Sequence, residues 1–293
     1  MSQPYPYTEI DMLRSFSLVF SRSVFKDIIE YNDFTRLNDI VEQYDMDRHS
    51  FVTYGDVIRK IYRAIRKKYC CEYVYKNEFI TKILINRYGT SKTVVFNEFK
   101  IPPSIVDIAL FNGESKAFEI KTEYDSPKRL SSQLENYSMF FDKCYLIVSE
   151  DLLDKYIHLI DEKIGILLLS HTKASVELIE FKDAHKNHFI NIALLMRVLH
   201  TQEYKNIIET YYGAVPNVSC FKMFDRCFEM MKQIPLEVLR PLILKEIKAR
   251  KNNTSLLRSS PIELRQIALS LNLKKEEIVI LKESLNKPIL SLE

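Results

Sequence analysis

Tryptophan is absent and glycine is scarce, at 5 of 293 residues. With so few glycines, no segment has the spacing of a P-loop or a dinucleotide-binding turn, which need glycine where backbone amides close on a phosphate. Nucleotide-driven chemistry is therefore disfavoured. The 5 cysteines, Cys70, Cys71, Cys144, Cys220 and Cys227, are odd in number and contain no Cys-x-x-Cys pair. They suit neither a disulfide framework nor a zinc ribbon, and a reducing cytoplasm is the expected location. No apolar run is long enough to span a bilayer, and Glu9 and Asp11 stand where a signal peptide would carry basic residues. Neither membrane insertion nor secretion is expected.

What remains is the composition of a folded protein, with 46% hydrophobic and 28% charged residues, enough apolar surface for a substantial core. The net charge of +3 is too small to demand a polyanionic partner, so the placement of charge matters more than its sum. Two basic clusters stand out: Arg59, Lys60, Arg63, Arg66, Lys67 and Lys68, interleaved with Tyr62 and Tyr69, and Lys245, Lys248, Arg250 and Lys251. Each reads first as a solvated helix face and second as a grip on phosphates.

Apolar residues recur at helical spacing from Asp11 to Lys68, so residues 1–70 read as a helical N-terminal region. The pattern then changes. A helix from about Val74 to Tyr88 and a strand from Thr93 to Phe99 lead to a break at Pro102-Pro103. Strands Ile105 to Phe111 and Lys116 to Glu123 follow, joined by a hairpin turn at Asn112-Gly113. Pro127 suits the first turn of a helix reaching Phe141, and Cys144 to Ser149 has the run of a buried strand. A helix from Leu152 to Ile160 and strands Ile164 to Leu169 and Ser175 to Phe181 extend an α/β core over residues 71–182. Residues 183–293 read as a helical C-terminal region.

The chemistry concentrates in the hairpin. Side chains alternate between the faces of a strand. Val106, Ile108 and Leu110 of one strand and Phe118 and Ile120 of the next form an apolar set, which leaves Asp107, Glu119 and Lys121 together on the opposite face. Because 107 and 119 are both odd, a shared face requires a connection of odd length or a bulge. Two adjacent carboxylates repel unless a hard cation such as Mg²⁺ lies between them, and a neighbouring lysine can orient water and offset transition-state charge. An isolated Glu-x-Lys triplet is otherwise an ordinary wet strand face. Glu98, Glu123 and Asp125 flank the hairpin and are alternative ligands.

His185 and His188, read as one helical turn apart, lack an evident third ligand and suit a polar helix face. Cys220 and Cys227 fall among phenylalanines and read as buried packing.

With the preceding Asp, the hairpin and the flanking helices, residues 74–149 resemble the PD-(D/E)xK superfamily of restriction-endonuclease-like nucleases. The resemblance lies in an αβββαβ order and departs from the family pattern where Val106 replaces the proline before Asp107. It implies a restriction-endonuclease-like core with a mixed central sheet, flanked by N- and C-terminal helical regions. It further implies Asp107 and Glu119 as metal ligands, joined by the Ile120 carbonyl and by Glu78 on the preceding helix. Lys121 is then the catalytic lysine, and Gln133 on the next helix an auxiliary catalytic residue. The implied activity is phosphodiester hydrolysis with Mg²⁺, Mn²⁺ substituting, on nucleic acid, DNA ahead of RNA. A host-defence role follows by analogy alone, and a protein partner or homo-oligomer is left open. The competing expectation is a nuclease-fold interaction, immunity or regulatory protein without turnover.

Overall fold

The computed structural model describes residues 7–46, 51–171 and 176–289. Four helices come first: α1 (Glu9–Val19), α2 (Arg22–Tyr31), α3 (Thr35–Gln43) and α4 (Tyr54–Lys68). Helix α5 (Glu72–Glu78) runs directly into wider, π-type turns over Phe79–Tyr88, where a single α-helix was expected. Strands β1 (Val94–Ile101), β2 (Ser104–Phe111) and β3 (Ser115–Ile120) follow, then α6 (Leu130–Ser138), β4 (Lys143–Ser149), α7 (Leu153–Ile157), β5 (Gly165–His171) and β6 (Val176–Lys182). Helices α8 (Ile192–Val198), α9 (Thr201–Tyr212), α10 (Cys220–Met231), α11 (Leu236–Ala249), α12 (Arg265–Ser270) and α13 (Lys275–Leu285) complete the order. Ser175, expected to open the last strand, lies outside the described residues.

The protein is α/β, with helices flanking one six-stranded mixed sheet in the order β1-β2-β3-β4-β5-β6. Strands β1, β2 and β3 pair antiparallel, whereas β3-β4 and β4-β5 are parallel. The Pro102-Pro103 break is itself a tight hairpin turn, because Ile101 pairs with Ser104 across it.

The chain divides into two compact units, each built from more than one segment. One unit comprises residues 1–90, 170–178 and 253–293, and the other residues 91–169 and 179–252. Helical periodicity marks which face of an element is apolar but not which distant element covers it, so a chain that returns to an earlier unit leaves no local signal.

In the first unit, α4 shows how local chemistry fixes an element. Thr53 caps its N-terminus by accepting from the Asp56 amide, while the Asp56 carboxylate accepts from the Thr53 amide at 2.8 Å, completing a capping box. The Arg59 guanidinium, bonded to Asp56 at 2.7 Å, and the capping amides hold that carboxyl down to about 2, from an ordinary 3.8. A depressed folded-state pKa gives stability that is complete above 3.8 and lost as pH falls towards 2. Asp56→Asn should therefore cost about 1 kcal/mol at pH 7, the usual worth of a cap. Urea titrations of both proteins should show that difference shrinking between pH 4 and pH 2.

In the second unit the sheet is buried on both sides. Ala109, Phe111, Ala117, Leu146 and Val148 join Leu130, Leu134 and Tyr137 of α6 in one core, while Ile108, Leu110, Phe118 and Ile147 are buried too. Strand β3 has no exposed residue. The face carrying the two acids is therefore packed over most of its length, and a polar group there needs a partner.

Candidate active site

Strands β2 and β3 are joined by three residues, Asn112, Gly113 and Glu114, an odd connection as the shared face requires. Gly113 sits at φ 138°, a conformation that disfavours a side chain. Ile108 pairs with Phe118 and Ala109 with Ala117, so the same register sets Asp107 opposite Glu119. Directly opposed residues of an antiparallel pair have Cβ atoms about 5 Å apart, which brings their carboxyl groups within reach of one ion. Asp107, half-buried, accepts the Ile120 amide at 2.8 Å, a bond that ties the acid of one strand to the backbone of the other.

Glu119 is 2% exposed and Lys121 7%. The Lys121 ammonium donates to Glu119 Oε1 at 2.7 Å and to Gln133 Oε1 at 3.2 Å. The second oxygen of Glu119 accepts from the Tyr137 hydroxyl at 2.8 Å, and that hydroxyl also lies 2.7 Å from the Ile105 carbonyl. Burial and the adjacent Glu119 carboxylate push the Tyr137 hydroxyl well above its ordinary pKa, so it remains a neutral donor. Gln133 and Tyr137 are four residues apart on α6, hence on one helix face, and both meet the Glu119–Lys121 pair.

The strand stops at Ile120, short of the expected Glu123. Lys121 still donates its amide to the Ile147 carbonyl, but the Asp125 carboxylate accepts the Thr122 amide and hydroxyl, both at 2.7 Å, and turns the chain out of the sheet. That turn occupies Asp125, one of the alternative ligands. Glu98 stands differently. Asn97 opposes Ile108 and Phe99 opposes Val106, so Glu98 occupies the register position opposite Asp107, and its φ is 54°. Left-handed backbone at a non-glycine residue costs on the order of 1 kcal/mol and concentrates at functional sites.

Glu78, the remaining expected metal ligand, has partners of its own. It belongs to the other unit and is 3% exposed, with Oε1 accepting Arg66 Nε at 2.6 Å and the Tyr62 hydroxyl at 3.0 Å. Arg66 Nη2 reaches Oε2 at 3.2 Å. A guanidinium on both oxygens supplies the positive charge a metal would bring, and opposes a cation at the same place. Glu78 is thus held in an ion pair, and Arg66 leaves the first basic cluster, as do Arg59 to Asp56 and Lys68 to Glu9.

Two further expectations are corrected. Residues 183–190 form no helix; the His185 amide bonds to the Lys163 carbonyl and the Asn187 amide to that of Asp142, holding His185 and His188 on an irregular segment. Cys227 is buried as expected, whereas Cys220 is exposed at the first residue of α10.

Among the described residues, no three His, Cys, Asp or Glu side chains are gathered as a ready metal centre. Asp107 and Glu119 fit a looser kind of site. Mg²⁺ is commonly bound through one or two carboxylates and keeps several waters, and the two carboxylates on this face are of the donor type it takes.

The hairpin, the parallel continuation of its sheet and the acid–lysine–glutamine–tyrosine group define an α/β protein with an acidic site on the sheet face beneath a helix. Residues 65–273 match the family described as Bacteriophage P4 protein cII, and the chain belongs to that family. Protein cII of Enterobacteria phage P4 is 26% identical over 157 residues, 51% of this chain and 55% of that protein. The chain thus spans about half the length of the curated relative it matches. Among solved structures, the SPO1766 protein of unknown function from Silicibacter pomeroyi matches with a TM-score of 0.31 and 13% identity, over 50% of this chain and 92% of that one.

Proposed function

We propose that the protein is a metal-dependent nuclease with a restriction-endonuclease-like core, acting on DNA ahead of RNA, in the cytoplasm. The observation that carries this reading is the register that opposes Asp107 to Glu119 with Lys121 and Gln133 bonded beside them. The order α5, β1, β2, β3, α6, β4 supports the same core. Asp107 and Glu119 would hold Mg²⁺ or Mn²⁺, with the Ile120 carbonyl added by family resemblance. Bound there, the cation would polarise the scissile phosphate and lower the pKa of the attacking water.

The chain's own residues divide the remaining work. Tyr137 fixes one oxygen of Glu119, leaving that oxygen's other lone pair for coordination. Gln133 and Glu119 hold the Lys121 ammonium at the acids, where it orients the water and offsets charge developing on the phosphate. The test is incubation with linear, supercoiled and single-stranded DNA and with RNA, in Mg²⁺, Mn²⁺ or EDTA. Cleavage that EDTA abolishes is expected; no cleavage of any substrate, with no metal binding by calorimetry, would defeat the proposal.

Lys121→Ala separates the roles further. It should lower single-turnover cleavage by about 100-fold or more, the range for one electrostatic donor, while calorimetry still registers Mn²⁺. Wild-type cleavage by this variant would reduce Lys121 to a structural partner of Glu119.

A second reading, a nuclease-fold interaction, immunity or regulatory protein without turnover, is favoured by one observation. Each oxygen of Glu119 already has a protein donor, so the group also closes as a satisfied buried network.

A further inference from the structure

The second basic cluster has a use that the acidic site does not supply. In the second unit, a cavity of about 820 Å³ lies between the β2-β3 hairpin tip and α11, lined by Gly113, Lys186, Arg240, Leu244, Lys245 and Lys248, with Asp142 and Glu237. Arg240, Leu244, Lys245 and Lys248 recur along one face of α11.

The charges in this cavity are unequal. Asp142 is buried and neutralised, because Arg240 pairs with one carboxylate oxygen while the Ser115 amide and hydroxyl donate to the other at 2.7 and 2.8 Å. Arg240 is itself engaged elsewhere, since it also donates to the Asn187 and Phe189 carbonyls. Lys186 is ion-paired with Glu114 at 3.6 Å. Among the described residues, Lys245 and Lys248 have no hydrogen-bond or ion-pair partner. At Gly113 no atom lies within 4 Å of the position a Cβ would take, so the hairpin side of the cavity is open. The walls thus present the free Lys245 and Lys248 ammonium groups, beside the ion-paired Lys186, against the carboxylate of Glu237.

We infer that this cavity binds the phosphodiester backbone of a nucleic acid strand, with Lys245, Lys248 and Lys186 as its phosphate contacts. The inference rests on the nuclease reading for its choice of ligand but not on the acids. Asp107 lies six residues from Gly113, about 20 Å along an extended strand. Two features favour a polyphosphate over an acidic polypeptide. The uncommitted cations are two lysines, point charges of the kind that bind phosphate. The lining also offers no aromatic pocket to anchor a peptide side chain.

The experiment measures binding of a fluorescein-labelled 20-nucleotide single-stranded DNA by anisotropy in EDTA, across a salt series, for the whole chain and its Lys245→Ala/Lys248→Ala variant. Each phosphate contact on a single strand contributes about 0.7 to the salt slope, so the variant should lose about 1.4 in slope and bind about tenfold more weakly at low salt. Lys251→Ala, outside the cavity lining, should match the wild type and controls for general charge. The inference is overturned by an unchanged slope and affinity in the double variant, by absence of DNA binding in the wild type, or by poly-glutamate binding equally well with the same lysine dependence. Cleavage in Mg²⁺ is read separately: lysine-dependent binding without cleavage keeps the cavity and removes the nuclease reading, and cleavage with lysine-independent binding does the reverse.

Discussion

On the proposed nuclease reading, Asp107→Asn should reduce single-turnover cleavage by at least about 10³-fold, because losing one of two proposed carboxylate ligands would remove several kcal/mol of transition-state stabilisation. The same variant should bind DNA in EDTA as tightly as the wild type or more tightly, since a negative charge facing phosphate is gone and the side-chain shape is kept. Folding should be little affected, as an asparagine oxygen can still accept the Ile120 amide. Glu119→Gln should lose cleavage alike, though at a cost in stability because it leaves the buried Lys121 ammonium unpaired, and the double variant should lose less than the two single losses together if both acids serve one ion. Undiminished cleavage by folded Asp107→Asn protein would refute the mechanism. Wild-type metal affinity would move the ligand role to another acid, with Glu98 first in line because the register opposes it to Asp107.

The largest loss of stability should come from Arg240→Ala. Asp142 is 3% exposed and the Arg240 side chain 13%, so removing the arginine strands a buried carboxylate. Breaking such a pair from one side costs about 3–5 kcal/mol, against a total stability on the order of 10 kcal/mol. A fall in Tm of about 10 °C is expected by calorimetry. Arg240→Lys should recover little, because one ammonium cannot reach Asp142 and the Asn187 and Phe189 carbonyls together. A shift under about 2 °C in the alanine variant would mean that Ser115 alone sustains the Asp142 charge.

The hairpin site was legible because it rests on local periodicities. Alternation along β2 and β3 and the parity of positions 107 and 119 required a connection of odd length, and the three-residue turn meets that requirement. Lys121 follows from its Glu-x-Lys spacing one residue past the end of β3, and Gln133 was implied only by the family resemblance. Tyr137 carried a signal that went unread: it lies four residues after Gln133, but a tyrosine at helical spacing looks like core, and Tyr137 is core as well as donor.

Non-local pairing accounts for what was missed. Nothing near Glu78 announces that Arg66 and Tyr62, more than a helix away in sequence, will take up its carboxylate. The irregular path of residues 183–190 is fixed by carbonyls of Lys163 and Asp142, which no helical wheel contains. The departure of Lys121 from the regular strand depends on a short-range device, the Asp125 turn, masked by the apolar–polar alternation around it.

The most direct test of the central claim is anomalous diffraction from crystals of the protein grown with Mn²⁺. A manganese peak is expected about 2.1 Å from a carboxylate oxygen of Asp107 and of Glu119, lost in the Asp107→Asn protein. A Mn²⁺-saturated crystal with no peak between those two acids, from protein that still cleaves nucleic acid, would contradict it.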